Sequence, residues 1–211
     1  MTNFGNITAH GQVYLHPDKP PADLVWTDPK GHMNFWCSVL GGTSGSSSNP
    51  RTEGRETLPD TAAAYNWKVG DGPHSMSGTV RVELAPSSGK VIVGQIHAHK
   101  APDPFLMVTW WNGVARIDLR TDPLGKASKF VEVPCSLGQT FTYILVIEPD
   151  RTLTVVLDTV VKTVKIPVSW DQYPFYFKQG AYVIDHEGSA NEGGWVVYER
   201  SQVLHESGAS E

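Results

Sequence analysis

No stretch of this 211-residue chain approaches the ~18 consecutive apolar residues that a transmembrane helix requires, so a helical membrane span is excluded and no membrane partner is expected. The opening residues, "MTNFGNITAHGQVYLHP", lack a basic segment followed by an apolar one. No signal peptide is read there, so the chain either stays in the cell or has lost its leader, and localisation stays open. Cysteine is scarce. Cys37 and Cys135 are the only two, too few and too far apart for metal-ligand spacing, and no metal is expected. Two buried free thiols are preferred over a bridge, because number alone says nothing of distance. Charge is sparse at 18% and leans acidic, with 17 Lys and Arg against 22 Asp and Glu. A nucleic-acid partner is therefore not expected, and a polyanion would need a local cluster of cations. Helical periodicity is nearly missing too; only "DTAAAYNW" (60–67) could form a turn or two.

What the chain has is period two. "TVRVELA" (79–85), "KVIVGQIHAHK" (90–100), "FLMVTWW" (105–111), "GVARIDLRT" (113–121), "FTYILVIE" (141–148), "RTLTVVLD" (151–158), "VVKTVKIPV" (160–168), "FYFKQGAYVI" (175–184) and "GGWVVYERSQVL" (193–204) all read as strands. Turn sequences separate them, among them Asn112-Gly113, a hairpin signal. Many strands with almost no helix predict an all-β sandwich or barrel, and one domain over 1–211 is expected. A glycine- and serine-rich piece, "GGTSGSSSNP" (41–50), reads as a mobile surface loop, and "HEGSANEGG" (186–194) as a second one.

Three strands carry polar rows. In "RTEGRETL" (51–58), Arg51, Glu53 and Arg55 share one face, with Thr52, Gly54 and Glu56 on the other. In "GQIHAHK" (94–100), Gln95 and His97 share a face opposite Ile96 and Ala98. In "YPFYFKQGAYVID" (173–185), Tyr176, Lys178, Gly180 and Tyr182 oppose a core phase of Phe175, Phe177, Gln179 and Ala181. Each row alone is ordinary solvated surface. Together, on one sheet, they would supply cations, an amide, an imidazole and a phenol. That set suits removal of a proton next to a carboxylate: cation and amide neutralise the carboxylate, and His or Tyr moves protons.

The same three stretches resemble the motifs of the alginate lyases of polysaccharide lyase family 7. These run R-(T/S)-E-L-R-E, Q-(I/V)-H and Y-F-K-A-G-x-Y-x-Q, and appear here in order as "RTEGRE" (51–56), "QIH" (95–97) and "YFKQGAY" (176–182). The resemblance implies a β-jelly-roll sandwich of two antiparallel sheets with the motif strands lining a concave substrate cleft. It implies β-elimination on an anionic 1,4-linked uronate polysaccharide, alginate above all, with no metal or organic cofactor and as a monomer. Arg51, Gln95 and His97 would neutralise the C5 carboxylate. His97 would take the C5 proton of guluronate and Tyr182 would protonate the leaving oxygen; for mannuronate Tyr182 would do both. Tyr176, Glu53, Arg55 and Lys178 would bind neighbouring sugars or orient the catalytic groups. Ile96 within the second motif leans toward guluronate-containing blocks. Action on a polysaccharide suits a secreted or periplasmic protein.

The chain departs from the family at Gly54 (usually Leu), Gln179 (usually Ala) and Ile184 (usually Gln). Gly54 is expected to lose a packing contact and to mark a bulge. A same-fold lyase on another uronan, such as polyglucuronate, is the first rival; a non-catalytic carbohydrate-binding module is the second. A paired-carboxylate hydrolase ranks lower, since Glu53 has no obvious second acid beside it. Trp110 and Trp111 face opposite ways and both read as structural, although the outward one could stack on a sugar. His99, Lys100, Arg116 and Arg120 read as solvated surface, although His99 could sit at the cleft edge and the three cations could extend a cationic groove; Asp60, Asp71 and Asp158 read as turn formers.

Overall fold

The computed structural model describes residues 3–9, 11–16, 18–43 and 47–206. Among the described residues fifteen strands form two antiparallel sheets stacked face to face. The eight-stranded sheet runs in the order β10 (Ser128–Pro134), β9 (Val114–Leu119), β8 (Leu106–Trp111), β7 (Lys90–Ala98), β14 (Phe175–Val183), β5 (Arg51–Thr57), β1 (Asn3–Ala9), β2 (Gln12–Tyr14). The seven-stranded sheet runs β13 (Val160–Lys165), β12 (Thr152–Leu157), β11 (Phe141–Ile147), β6 (His74–Leu84), β15 (Gly193–His205), β4 (Met33–Ser38), β3 (Val25–Thr27). One hydrophobic cluster fills the space between them. Met76, Val80 and Val82 of β6 and Phe141, Tyr143, Leu145 and Ile147 of β11 face Ile96 and Ala98 of β7 and Phe175 and Phe177 of β14. Alternation writes that core most directly along β11, where every second residue, Phe141, Tyr143, Leu145 and Ile147, is apolar and buried.

Nine strands lie where period two puts them, within a few residues. At the tip between β8 and β9, Asn112 and Gly113 both take positive φ, 47° and 87°, as a tight hairpin turn asks. Asp60 and Asp158 also sit at positive φ, and Asp71 caps a turn by accepting from the Lys68 amide. Residues 60–67 form no helix. They turn and bend over 60–62 and then pair through bridges from Thr57 to Ala64 and from Trp67 to Phe175, so tertiary pairing overrides the alanine run. The helical element among the described residues is a 3-10 turn, Val168–Trp170. Cys37 and Cys135 are buried and free, and burial pushes the Cys37 thiol up to about 12. Of the loop expected over 41–50, residues 44–46 lie outside the described residues.

Two departures from regular pairing shape the middle of the eight-stranded sheet. β7 carries one extra residue against β8 between Ile92 and Gly94, and β14 one extra against β7 between Gln179 and Tyr182. The first lets Ile92 and Gln95, an odd number apart, face the same side. Gly180, at φ 146°, sits in the second; a Cβ there would meet the Thr52 carbonyl oxygen at 2.3 Å, so only glycine fits. Tyr198 of the opposite sheet ties both irregularities: its hydroxyl accepts from the Gly180 amide at 3.3 Å and donates to the Val93 carbonyl. Gly54 marks no bulge of its own, and the expected loss of packing does not occur. Phe4 of β1 fills the space; a Cβ on Gly54 would lie 2.7 Å from the Phe4 Cβ.

Candidate active site

The three polar rows lie on neighbouring strands, with β14 between β7 and β5. Register puts Lys178 opposite both Gln95 and Arg55, Tyr176 opposite His97, Gly180 opposite Glu53, and Tyr182 opposite Arg51 and Ile92. Residues directly opposite in an antiparallel pair share a face. Arg51, Glu53, Arg55, Gln95, His97, Tyr176, Lys178 and Tyr182 therefore all project from the outer face of the eight-stranded sheet.

At the centre sits Glu53, fully buried although it points away from the core. It accepts hydrogen bonds from the Gln95 amide and the Lys178 ammonium, and Arg51 Nη1 lies 3.7 Å away. Gln95 and Lys178 are themselves nearly covered. Outward-facing groups this deeply covered lie beneath the side chains that flank them, Arg51 among these. Glu53 is thus covered, with its oxygens engaged by Gln95 and Lys178. Lys178 is held the same way, and burial, outweighing the attraction of Glu53 that would raise it, lowers its pKa.

The two ends of the row are aromatic. At one end the Arg51 guanidinium lies 3.9 Å from the Tyr182 ring centroid, and the Tyr182 hydroxyl meets the Ser47 hydroxyl at 3.0 Å. Arg51 Nε is buried without a hydrogen-bond partner among the described residues. At the other end Arg55 lies 3.9 Å from the Tyr176 ring centroid and donates to Asn66 at 2.6 Å. Tyr176 in turn stacks on His97, 5.3 Å between centroids at 16°. Burial raises the pKa of Tyr176.

His97 presents one ring nitrogen without a hydrogen-bond partner among the described residues. Its Nδ1 lies 3.1 Å from the Ala98 carbonyl oxygen, which can only accept, so the proton is on Nδ1 and Nε2 keeps its lone pair. Burial, then the positive charge of Lys178, pushes its pKa down to about 4. The imidazole is thus neutral near pH 7, able to take a proton but carrying no charge of its own toward a carboxylate. Positive charge must come from Arg51, Arg55 and Lys178.

All eight expected residues meet on one face. Sequence reasoning missed Ser47, Asn66 and the Ala98 carbonyl, which aim Tyr182, Arg55 and His97. Ser47 is one of three consecutive serines with nothing local to single it out, and Asn66 lies in the segment where only a turn or two of helix is expected. Of the surface charges, Arg120 is no part of a groove; it is buried, bonds the Pro104 and Gly125 carbonyls and pairs with Asp103 at 3.3 Å. Among the described residues no group of three or more His, Cys, Asp or Glu side chains is placed to hold a metal ion.

A family model described as alginate lyase matches residues 19–205. The fold is similar to that of an alginate lyase from Pseudomonas aeruginosa, with TM-score 0.84 at 24% identity over 97% of this chain and 100% of that one. It is also similar to the alginate lyase A1-II′ of polysaccharide lyase family 7, with TM-score 0.78 at 26% identity over 88% and 85% of the two chains. A third similar structure, the alginate lyase from Klebsiella pneumoniae, has TM-score 0.76 at 20% identity over 92% and 87%. No curated protein sequence matches the chain.

Proposed function

The chain belongs to the alginate lyase family and is a polysaccharide lyase with the jelly-roll fold; on that premise we propose that it cleaves alginate by β-elimination, with guluronate-containing blocks preferred. Arg51 and the Gln95 amide pair with the C5 carboxylate and lower the barrier to removing the adjacent proton. His97 Nε2 takes that proton, the electron pair forms the C4=C5 double bond, and the C4–O bond breaks. Tyr182 gives its phenolic proton to the leaving oxygen, aided by the Arg51 cation over its ring. Products are a 4,5-unsaturated uronate and a new reducing end. Solvent then restores the proton to Tyr182 and removes the one on His97.

The observation that most supports this assignment is the state of His97: neutral, with its tautomer held by the Ala98 carbonyl and its charge suppressed by burial beside Lys178. Base and acid come from opposite ends of the row, as separate groups. That suits guluronate, whose proton and leaving group lie on opposite faces of the ring. Two of the three departures from the family motifs lie behind the sheet. Gly54 sits under Phe4, and the Gln179 amide bonds Ser201 on the core side. Neither meets a sugar, so neither argues for another uronan.

Wild type and Tyr182→Phe are compared on polyguluronate, polymannuronate and polyglucuronate by ultraviolet absorbance of the unsaturated product. The variant is expected to lose at least about 100-fold in turnover, the usual scale for a general acid, while still binding oligosaccharide. Near-wild-type turnover removes Tyr182 from the reaction. Fastest product from polyglucuronate overturns the alginate assignment.

A further inference from the structure

We propose a second carbohydrate subsite on the same face of the eight-stranded sheet, built from Trp111, Lys90 and Arg116, that grips a uronate of the polymer away from the reacting ring. It rests on the lyase assignment above and extends it to substrate length. Trp111 lies opposite Lys90 on β7 and opposite Val114 on β9, while Thr109 lies opposite Ile92 and Arg116. Ile92 in turn lies opposite Tyr182. Ladder partners share a face, so Trp111, Lys90 and Arg116 project beside the catalytic row rather than behind it. Two strand steps and two residues separate Trp111 from Tyr182, about 12 Å by ordinary β spacings and more than one sugar ring covers.

The three side chains form an aromatic platform with cations at hand. Lys90 Nζ lies 4.9 Å and the Arg116 guanidinium 5.2 Å from the Trp111 ring centroid. Trp111 is 36% exposed, in contrast to its neighbour Trp110, which is buried and donates to the Cys135 carbonyl at 2.9 Å. Arg116 is ion-paired with the covered Asp118 two residues along its own strand, Nε to Oδ1 at 2.8 Å, which fixes its direction. Glu132 of β10, opposite Arg116, is engaged by Lys129. The Thr109 hydroxyl on the floor is buried without a hydrogen-bond partner among the described residues.

Uronate chemistry matches that set. A pyranose offers a face of C–H groups to an indole, and its carboxylate draws cations. A cation over an exposed ring is held only weakly, because water competes for it. A charge-assisted hydrogen bond to a carboxylate is stronger, so Lys90 and Arg116 exchange the ring for the carboxylate and free the indole for the sugar. A neutral glycan would give the cations nothing in return.

Trp111→Ala and Lys90→Gln test the subsite, because both side chains are at the surface and neither belongs to the catalytic row. Kinetics on polyguluronate and on a guluronate trimer are set beside affinity electrophoresis in polyguluronate and amylose gels. The expected result is a KM on polymer raised about tenfold in Trp111→Ala and less in Lys90→Gln, the scale of one stacking and charge contact. Trimer kinetics and Tm stay unchanged, and retardation is lost in the polyguluronate gel alone. Equal polymer KM in wild type and both variants, equal losses on trimer and polymer, or unchanged retardation overturns the subsite. If wild type forms no unsaturated product from any uronan, the lyase assignment falls, and the gels still judge the subsite.

Discussion

Glu53 and Glu56 stand three residues apart on β5, face opposite ways, and are both fully buried. Glu53 looks outward and is neutralised by Lys178 and Gln95 in the floor of the site. Glu56 looks inward. It accepts from the Trp67 indole at 3.2 Å and the Phe177 amide at 2.9 Å, and pairs with His205, which shares a proton with His74 across 2.8 Å. One carboxylate fixes Gln95 and Lys178 of the proposed site; the other fastens residues 57–67 and the end of β15 onto the sandwich. A buried charge is costly in either place, so each has partners on every side. The partners, not the burial, show what each one is for.

The sharpest way to break that contrast is to neutralise each acid in turn. Glu53→Gln removes the anion that positions Lys178 and Gln95 and tempers the field on His97. We expect kcat/KM on polyguluronate to fall about 100-fold, the scale of a small misplacement of catalytic groups. Stability falls as well, because the Lys178 charge is left uncompensated. If Glu53→Gln keeps wild-type turnover, Glu53 is mere filling and the contrast fails.

How the sequence carried this contrast is instructive. Period two placed Arg51, Glu53 and Arg55 on one face and Glu56 on the other, and it placed Gln95, His97, Tyr176, Lys178 and Tyr182 correctly. Those are local facts of alternation. Burial of Glu53 was not legible, since it depends on Lys178, 125 residues away, and Glu56 finds His205 at 149. The irregularities at Ile92–Gly94 and Gln179–Tyr182 were hidden for a related reason: Tyr198 pins them from the other sheet. Strands β1 to β4 and β10 escaped because they are short, lie toward sheet edges or mix their burial pattern, and so lack clean alternation.

Glu56→Gln is the counterpart and a smaller effect. The amide keeps one acceptor but loses the charge facing His205, and about 2 kcal/mol of stability should go with it. It should show as a lower midpoint in urea, with kcat per folded molecule within about threefold of wild type. A loss of turnover as deep as that of Glu53→Gln, at a temperature where the variant is folded, would mean that the core-side cluster reaches the chemistry.

The smallest and most discriminating effect separates the two regions by pH. Each contains a histidine pushed down to about 4: His97 by burial and then Lys178, His74 by burial and then His205. An unfolded chain holds these groups near 6.5. Between pH 6.5 and 4 it therefore binds more protons than the folded one, so their contribution to stability falls as pH drops through that window and is gone below about 4. Activity follows His97 alone, and the acid limb of kcat/KM should lie near pH 4, not 6.5. His74→Gln removes one titrating group from the core side and none from the site. The decline of Tm with falling pH should become shallower while the acid limb stays in place. A limb that moves with His74→Gln would show that the two clusters titrate as one.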